Sequence, residues 1–304
     1  MRNAKLVLVV ILIVVLSLVG CGTSNDNTPG NNGNSNNPPI KETDYHKGTT
    51  ALKLSFLPSS PPDVMYDGQP VPFSLEITNT GVADTTAYIT LSGHDKNIIQ
   101  MDWTNRRVGP IVGRSDNYPQ GGYASIEEEG RVRLPAESES YPTTLKVTAC
   151  YPYSTEAIIP VCVDPDPTNN KDDTCTPKPI SVSGGQGAPV AVTKVETISV
   201  RGSASFRLTV QNQGKGYVLK TDKVLSCMSR LPQPDLDAIE VTEAKIGVNS
   251  LVCDPAIIRL VNNVGTTKCT GKVNSGSAYT SNLLLKLSYA YKDSITKPVS
   301  VRRI

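Results

Sequence analysis

The chain contains a duplication, and this limits its possible folds more than any other feature. Residues 141–163, YPTTLKVTACYPYSTEAIIPVCV, align without gaps on residues 279–301, YTSNLLLKLSYAYKDSITKPVSV. Tyr141, Leu145, Tyr151, Tyr153, Pro160, Val161 and Val163 recur as Tyr279, Leu283, Tyr289, Tyr291, Pro298, Val299 and Val301, and Val147 meets Leu285. The matches fall mostly on odd-numbered positions. A period of two is the mark of a strand with one buried face. Each block therefore predicts a hairpin with its turn near Ser154 or Lys292, the second arm closing a sheet.

A second pair of segments repeats upstream in the same order. Phe73, Leu75, Ile77, Asn79 and Gly81 parallel Phe206, Leu208, Val210, Asn212 and Gly214. The pattern predicts a half-buried strand ending in an Asn-x-Gly turn, with glycine supplying a backbone angle that other residues resist. Phe-x-Leu-x-Ile-x-Asn-x-Gly resembles the early strand of CARDB-like prokaryotic surface modules, which are immunoglobulin-like sandwiches. That resemblance implies a fold and an extracellular setting, and no activity. The expected fold class is all-β: two tandem immunoglobulin-like β-sandwich domains, at 41–166 and 176–304, joined by a linker at 167–175. Residues 239–248 and 256–262 read as strands, and no segment sustains a helical period. With 23 Gly, 23 Pro and few aromatics, the composition suits short strands joined by turns.

The amino terminus predicts export. Arg2 and Lys5 precede an apolar run at 6–19 broken only by Ser17, too short to span a bilayer and of signal-peptide length. Leu18-Val19-Gly20-Cys21 resembles a lipoprotein lipobox, which implies cleavage after residue 20 and a lipid on Cys21. Residues 21–40 are rich in Asn, Gly, Ser and Pro and read as a disordered tether. The whole chain holds 30 basic and 28 acidic residues, and removing Arg2 and Lys5 makes the two signs equal. A balanced chain offers no electrostatic case for nucleic acid.

Setting Cys21 aside leaves Cys150, Cys162, Cys175, Cys227, Cys253 and Cys269. An even number in an exported chain predicts three disulfides, and the spacings contain no zinc knuckle. Cys150 and Cys162 flank the expected hairpin turn, and both are serine in the second copy (Ser288 and Ser300). This favours a Cys150–Cys162 bridge on the outward face; among the other four, Cys253–Cys269 across an expected hairpin and Cys175–Cys227 are preferred over the alternative pairings.

The search for chemistry finds no catalytic set, no cofactor motif and no metal site. There are two histidines, His46 and His94. His94 with Asp95 and Asp102 comes nearest to a cation site and reads as an exposed loop. Asp164 to Asp173 carries oxygen ligands without an EF-hand's spacing or its glycine, and reads as a solvated linker. Glu127, Glu128 and Glu129 lack a positioned partner for glycoside cleavage and read as a solvated turn. Gly184-Gly185-Gln186-Gly187 has no following Lys-Ser/Thr and reads as an interdomain turn. The six repeated tyrosines share the parity of the core, so packing is preferred over a sugar platform.

The functional expectation is a non-enzymatic, lipid-anchored cell-surface protein. Its partners would be the membrane through the lipid, and other envelope or surface proteins or further copies of itself. One alternative is a polysaccharide- or ligand-binding module using exposed tyrosines or Trp103. The other is a carboxylate hydrolase.

Overall fold

A computed structural model of the chain describes residues 45–168, 173–274 and 276–304. The expected signal peptide, Cys21 and the tether lie outside the described residues. Residues Thr43–Ile304 form one compact unit. Its first half contains β1 (Leu52–Phe56), β2 (Val64–Tyr66), β3 (Pro70–Asn79), β4 (Thr85–Ser92), β5 (Ile99–Gln100), β6 (Arg106–Ile111), β7 (Tyr123–Val132) and β8 (Ser140–Val163). Its second half contains β9 (Ile180–Ser181), β10 (Val190–Val200), β11 (Ser203–Asn212), β12 (Tyr217–Leu219), β13 (Ala238–Ile246), β14 (Asn249–Ser250), β15 (Val252–Asp254), β16 (Ile257–Arg259), β17 (Val264–Lys272) and β18 (Tyr279–Arg302). The architecture is all-β, in mostly antiparallel sheets.

The expected hairpins do not form. Each repeated block is one unbroken strand of 24 residues, and β8 and β18 pair antiparallel over their whole length. Neither Ser154 nor Lys292 has a Gly or Asn beside it to reverse the chain, so the period-two pattern simply continues. β4 pairs β8 only as far as Cys150, so Pro152 and Pro160 lie beyond it, where an absent N–H is tolerated on the open side. Pro152 faces Ala290, its own equivalent in the repeat, so a pseudo-twofold axis passes between them. The shared sheet runs β14-β13-β18-β8-β4-β6, with β4 and β13 flanking the central pair.

A smaller sheet covers each half: β1-β3-β7-β5 in the first, β15-β17-β11-β10-β9 in the second. Odd residues of β8 from Leu145 to Val163 are buried throughout, so a single face of the long strand serves both halves. Phe73 and Phe206, matched in the repeat, are fully buried at the centres of β3 and β11. Burial of side chains of this size contributes about 1.5–3 kcal/mol each. One continuous apolar core contains residues from both halves.

The two repeated motifs meet in space. The Asn79 side chain accepts from Gly81 N–H at 3.1 Å and donates to Ala83 and Ile111 carbonyls. The Tyr153 hydroxyl donates to Asn79 Oδ1 at 3.3 Å and accepts Ala83 N–H at 3.2 Å. In the second half Tyr291 donates to Asn212 Oδ1 at 3.1 Å and accepts Gly216 N–H at 2.8 Å. Glycine's role here differs from the expected one. Gly81 and Gly214 are not among the positive-φ residues, but a Cβ on either would collide with the tyrosine hydroxyl. The turn needs the absence of a side chain, not an unusual backbone angle.

The disulfides are Cys150–Cys227, Cys162–Cys175 and Cys253–Cys269, with Cα–Cα separations of 6.3, 5.9 and 3.9 Å. The pairing across β15 and β17 is as expected. The expected Cys150–Cys162 and Cys175–Cys227 bridges are not present. With no hairpin, Cys150 and Cys162 stand on one extended strand, roughly 40 Å apart at about 3.3 Å per residue. Cys150 does face outward, where it meets a segment of the second half instead. Two short 3-10 turns at Thr221–Lys223 and Gln233–Asp235 belong to a flap laid on the outer face near the pseudo-twofold axis. Under it Cys150, Cys227, Leu219, Val224 and Ala290 form a small separate core. Three disulfides indicate an oxidising, extracytoplasmic setting. Among the described residues no helix is long and apolar enough to cross a membrane.

Candidate functional site

Residues singled out from sequence for chemistry do not assemble into a centre. His94 Nε2 lies 3.1 Å from Met101 O, Asp95 caps the backbone of Asn97, and Asp102 pairs with Lys96 at 2.8 Å. The bonds from Lys96 and Thr104 hold the Asp102 carboxyl below the usual range. His46 is exposed beside a small cavity of about 300 Å³. Asp164 and Asp166 accept backbone N–H groups two residues ahead, as turn-forming carboxylates do. Residues 169–172 of that stretch lie outside the described residues. Glu127, Glu128 and Glu129 lie within β7 and not at a turn. Glu128 accepts Trp103 Nε1–H at 2.7 Å and pairs with Arg106. Among the described residues no group of three His, Cys, Asp or Glu side chains could hold a metal ion.

The aromatic candidates are interior. Trp103 is 1% exposed, edge-on to Phe73 with ring centroids 6.4 Å apart. Tyr151, Tyr153, Tyr289 and Tyr291 form a closed quartet around the pseudo-twofold axis, with neighbouring centroids 5.9–6.5 Å apart. All four are buried. Burial pushes their hydroxyls above the ordinary phenol range, Tyr291 to about 12. Tyr141 and Tyr279, at the strand ends, are half-buried.

Since the matched residues serve the fold, the informative positions are those where the halves differ. The register places Leu52 opposite Asn79 and Val190 opposite Asn212, making β1 and β10 equivalent edge strands. Ala51 O accepts from Thr80 and Leu57 N–H donates to Ser74, so odd residues of β1 bond to β3. Antiparallel alternation turns the backbone groups of Leu52 and Leu54 the other way. In the second half that outer side is filled from within the chain. β9 pairs with Lys194 and Val195, and Val182 N–H donates to Thr193 O. The Gln186 amide accepts Val192 N–H at 2.8 Å and donates to Val192 O at 3.2 Å, imitating a strand. Thr155 donates to Val190 O at 2.7 Å.

In the first half these three devices are missing among the described residues. Gly48 stands where Gln186 stands, and Asp293 where Thr155 stands. Among the described residues no partner bonds the outward N–H and C=O of Leu54, although Leu54 is only 8% exposed. Beside this edge lies a groove of about 490 Å³. Its far wall is Asp293, Ser294 and Ile295 of β18, in a stretch between the β12 and β2 pairings where β8 is the one ladder partner among the described residues. Tyr151 and Tyr291 line it as well, and Lys53 and Lys215 are exposed at its rim. The chemistry on offer is a backbone edge unpaired among the described residues, the apolar Ile295, and the charges of Asp293, Lys53 and Lys215. Comparing the copies where they disagree, at Thr155 against Asp293 and Gln186 against Gly48, is the sequence signal that would have found it.

No protein-family model matches the chain, and no curated protein is detectably similar to it.

Proposed function

We propose that this is a non-enzymatic surface protein, lipid-anchored through Cys21, whose immunoglobulin-like halves act as one rigid module in envelope assembly or adhesion. The carrying observation is the open edge of β1. Unpaired strand edges are templates for pairing with another chain, and proteins that do not use them cover them. Here the chain covers the equivalent edge of its own second half, and none of the described residues pairs with this one. The CARDB-like resemblance of the Phe73–Gly81 and Phe206–Gly214 motifs and the disulfides fit an extracellular role. Of the side chains considered for the polysaccharide alternative, Trp103 and four of the six repeated tyrosines are buried, while Tyr66, Tyr118, Tyr123 and Tyr217 are exposed.

The test is capture from solubilised envelope by the immobilised full-length protein. A saturable envelope protein retained by wild type is the expected result. Capture of nothing but glycan, or of nothing at all, would refute the assembly role.

A further inference from the structure

The flap is an insertion peculiar to the second half. Tyr88 of β4 faces Cys150 on β8, and Glu240 of β13 faces Ser288, the counterpart of Cys150 in the repeat. The two flanking strands are therefore equivalent. Yet the first half runs from the Asn79 turn directly into β4 at Thr85, whereas the second inserts residues 220–236 before β13. The insertion is held across the seam between the halves. Cys227 is bonded to Cys150, Asn105 Nδ2 donates to Leu225 O at 3.5 Å, and Lys292 Nζ donates to Cys227 O at 2.8 Å.

Its side chains face two ways. Ser226, Cys227 and Ser229 N–H donate to the carbonyls three residues back, those of Lys223, Val224 and Ser226. In such tight turns residues three apart stack above one another. Val224 and Cys227 accordingly share the buried side, and Leu225 and Met228 share another that is 60% and 38% exposed. A segment that only covered the sheet would not display a second apolar pair. Around it stand exposed cations with no acidic partner among the described residues: Arg230 on the flap, Arg107 beside Tyr88, and Lys146. Burial, and after it the charge of Lys146, hold the neighbouring Lys292 ammonium below its usual range. The flap's own Asp222 and Asp235 are paired with Lys220 and Lys223. An apolar pair rimmed by unpaired cations matches a bilayer surface, where acyl chains lie behind anionic headgroups. An acidic protein segment would answer the cations and leave the apolar pair in water.

Resting on the anchoring through Cys21 above, we infer that the flap is a membrane-contact element. Leu225 and Met228 enter the boundary between headgroups and acyl chains, and Arg107, Lys146 and Arg230 meet the phosphates of anionic lipid. This contact lays the outer face of the shared sheet on the bilayer and turns the two smaller sheets away from it.

The experiment places full-length protein carrying Leu225→Trp on vesicles of phosphatidylcholine and phosphatidylglycerol with brominated acyl chains. Trp103 is buried and serves as the unquenched reference. Quenching of the added indole is expected on these vesicles, with little on phosphatidylcholine alone and loss of the signal in about 1 M salt, where charges are screened within about 3 Å. Arg107→Gln, Lys146→Gln and Arg230→Gln, all at exposed positions, should each reduce the contact about five-fold. In the wild type, amide exchange across residues 224–230 should slow on the same anionic vesicles. An unquenched indole overturns the inference, as does quenching that is equal on neutral lipid and indifferent to the glutamine variants. Protection of the flap by soluble polyglutamate in place of vesicles would assign it to an acidic protein segment, and overturns it too. Flotation of the wild type with vesicles in high salt reports the Cys21 anchor separately. A chain that floats with its flap unquenched keeps the anchor and loses the flap contact; one that is quenched in low salt but washed off by high salt keeps the flap contact and loses the anchor.

Discussion

Replacing Cys150 and Cys227 together by alanine should destabilise the protein more than removing either of the other bridges. This bridge closes a sequence separation of 77 residues, against 13 for Cys162–Cys175 and 16 for Cys253–Cys269. The loop-entropy relation gives about 4.5 kcal/mol for the first and about 3 kcal/mol for each of the others. The Cys162–Cys175 loop lies within the large one, and shortening it accordingly changes the figure by only a few tenths of a kcal/mol, roughly. Both sulfurs are buried beneath the flap with Leu219, Val224 and Ala290, so lost packing adds to the entropic effect and does not offset it. For a body of this size the deficit corresponds to a melting point lower by roughly 10 °C or more. Urea unfolding of the three double-alanine variants, measured side by side, provides the ranking. Hydrogen exchange across residues 220–236 should rise in the Cys150/Cys227 variant alone. If that variant is no less stable than the Cys253/Cys269 variant, or the flap keeps its protection, the reasoning from loop length and flap anchoring is wrong.

Three further outcomes are expected. The tyrosine quartet is held neutral by burial, so its stabilising contribution is complete below pH 10, the phenol value in the unfolded chain, and begins to be lost as pH rises through about 12, where Tyr291 ionises, the other three being raised further. The tyrosinate absorbance of these four among the chain's 12 tyrosines should therefore appear only as the circular dichroism is lost; all 12 ionising near pH 10 in a folded protein would contradict this. Gly81→Ala sets a Cβ against the Tyr153 hydroxyl and the Gly187 carbonyl, and should cost about 1–3 kcal/mol or more. Gly276→Ala, with nothing within 4 Å of its added Cβ, should be nearly neutral in the same denaturation assay. Trp103, the one tryptophan in the chain, should emit at short wavelength, resist iodide quenching and ignore added glycans; quenching like that of an exposed indole would mean the ring is not where Phe73 and Glu128 hold it.

The sequence alone determined the local character of the chain. Alternation at Phe73, Leu75 and Ile77, and at Leu145, Val147 and Tyr151, is a property of single strands, and these strands bury the faces it predicts. The even set of cysteines foretold three bridges, whereas the duplication suggested two tandem domains and Thr43–Ile304 form one compact unit. What the chain could not reveal by itself was which strands pair across long sequence distances. A period of two reads the same for a hairpin and for one long strand. Only the pairing of Tyr153 with Tyr289 and Tyr151 with Tyr291 shows that the halves share a sheet. Disulfide connectivity follows from that same decision, because straightening β8 carries Cys162 out of reach of Cys150 and brings Cys150 under the flap. The open edge at Leu54 is likewise a tertiary fact. Its backbone carries the same groups as that of Val192, and only the folded positions of Gln186, Thr155 and β9 show that the second-half edge is served while no described residue serves this one.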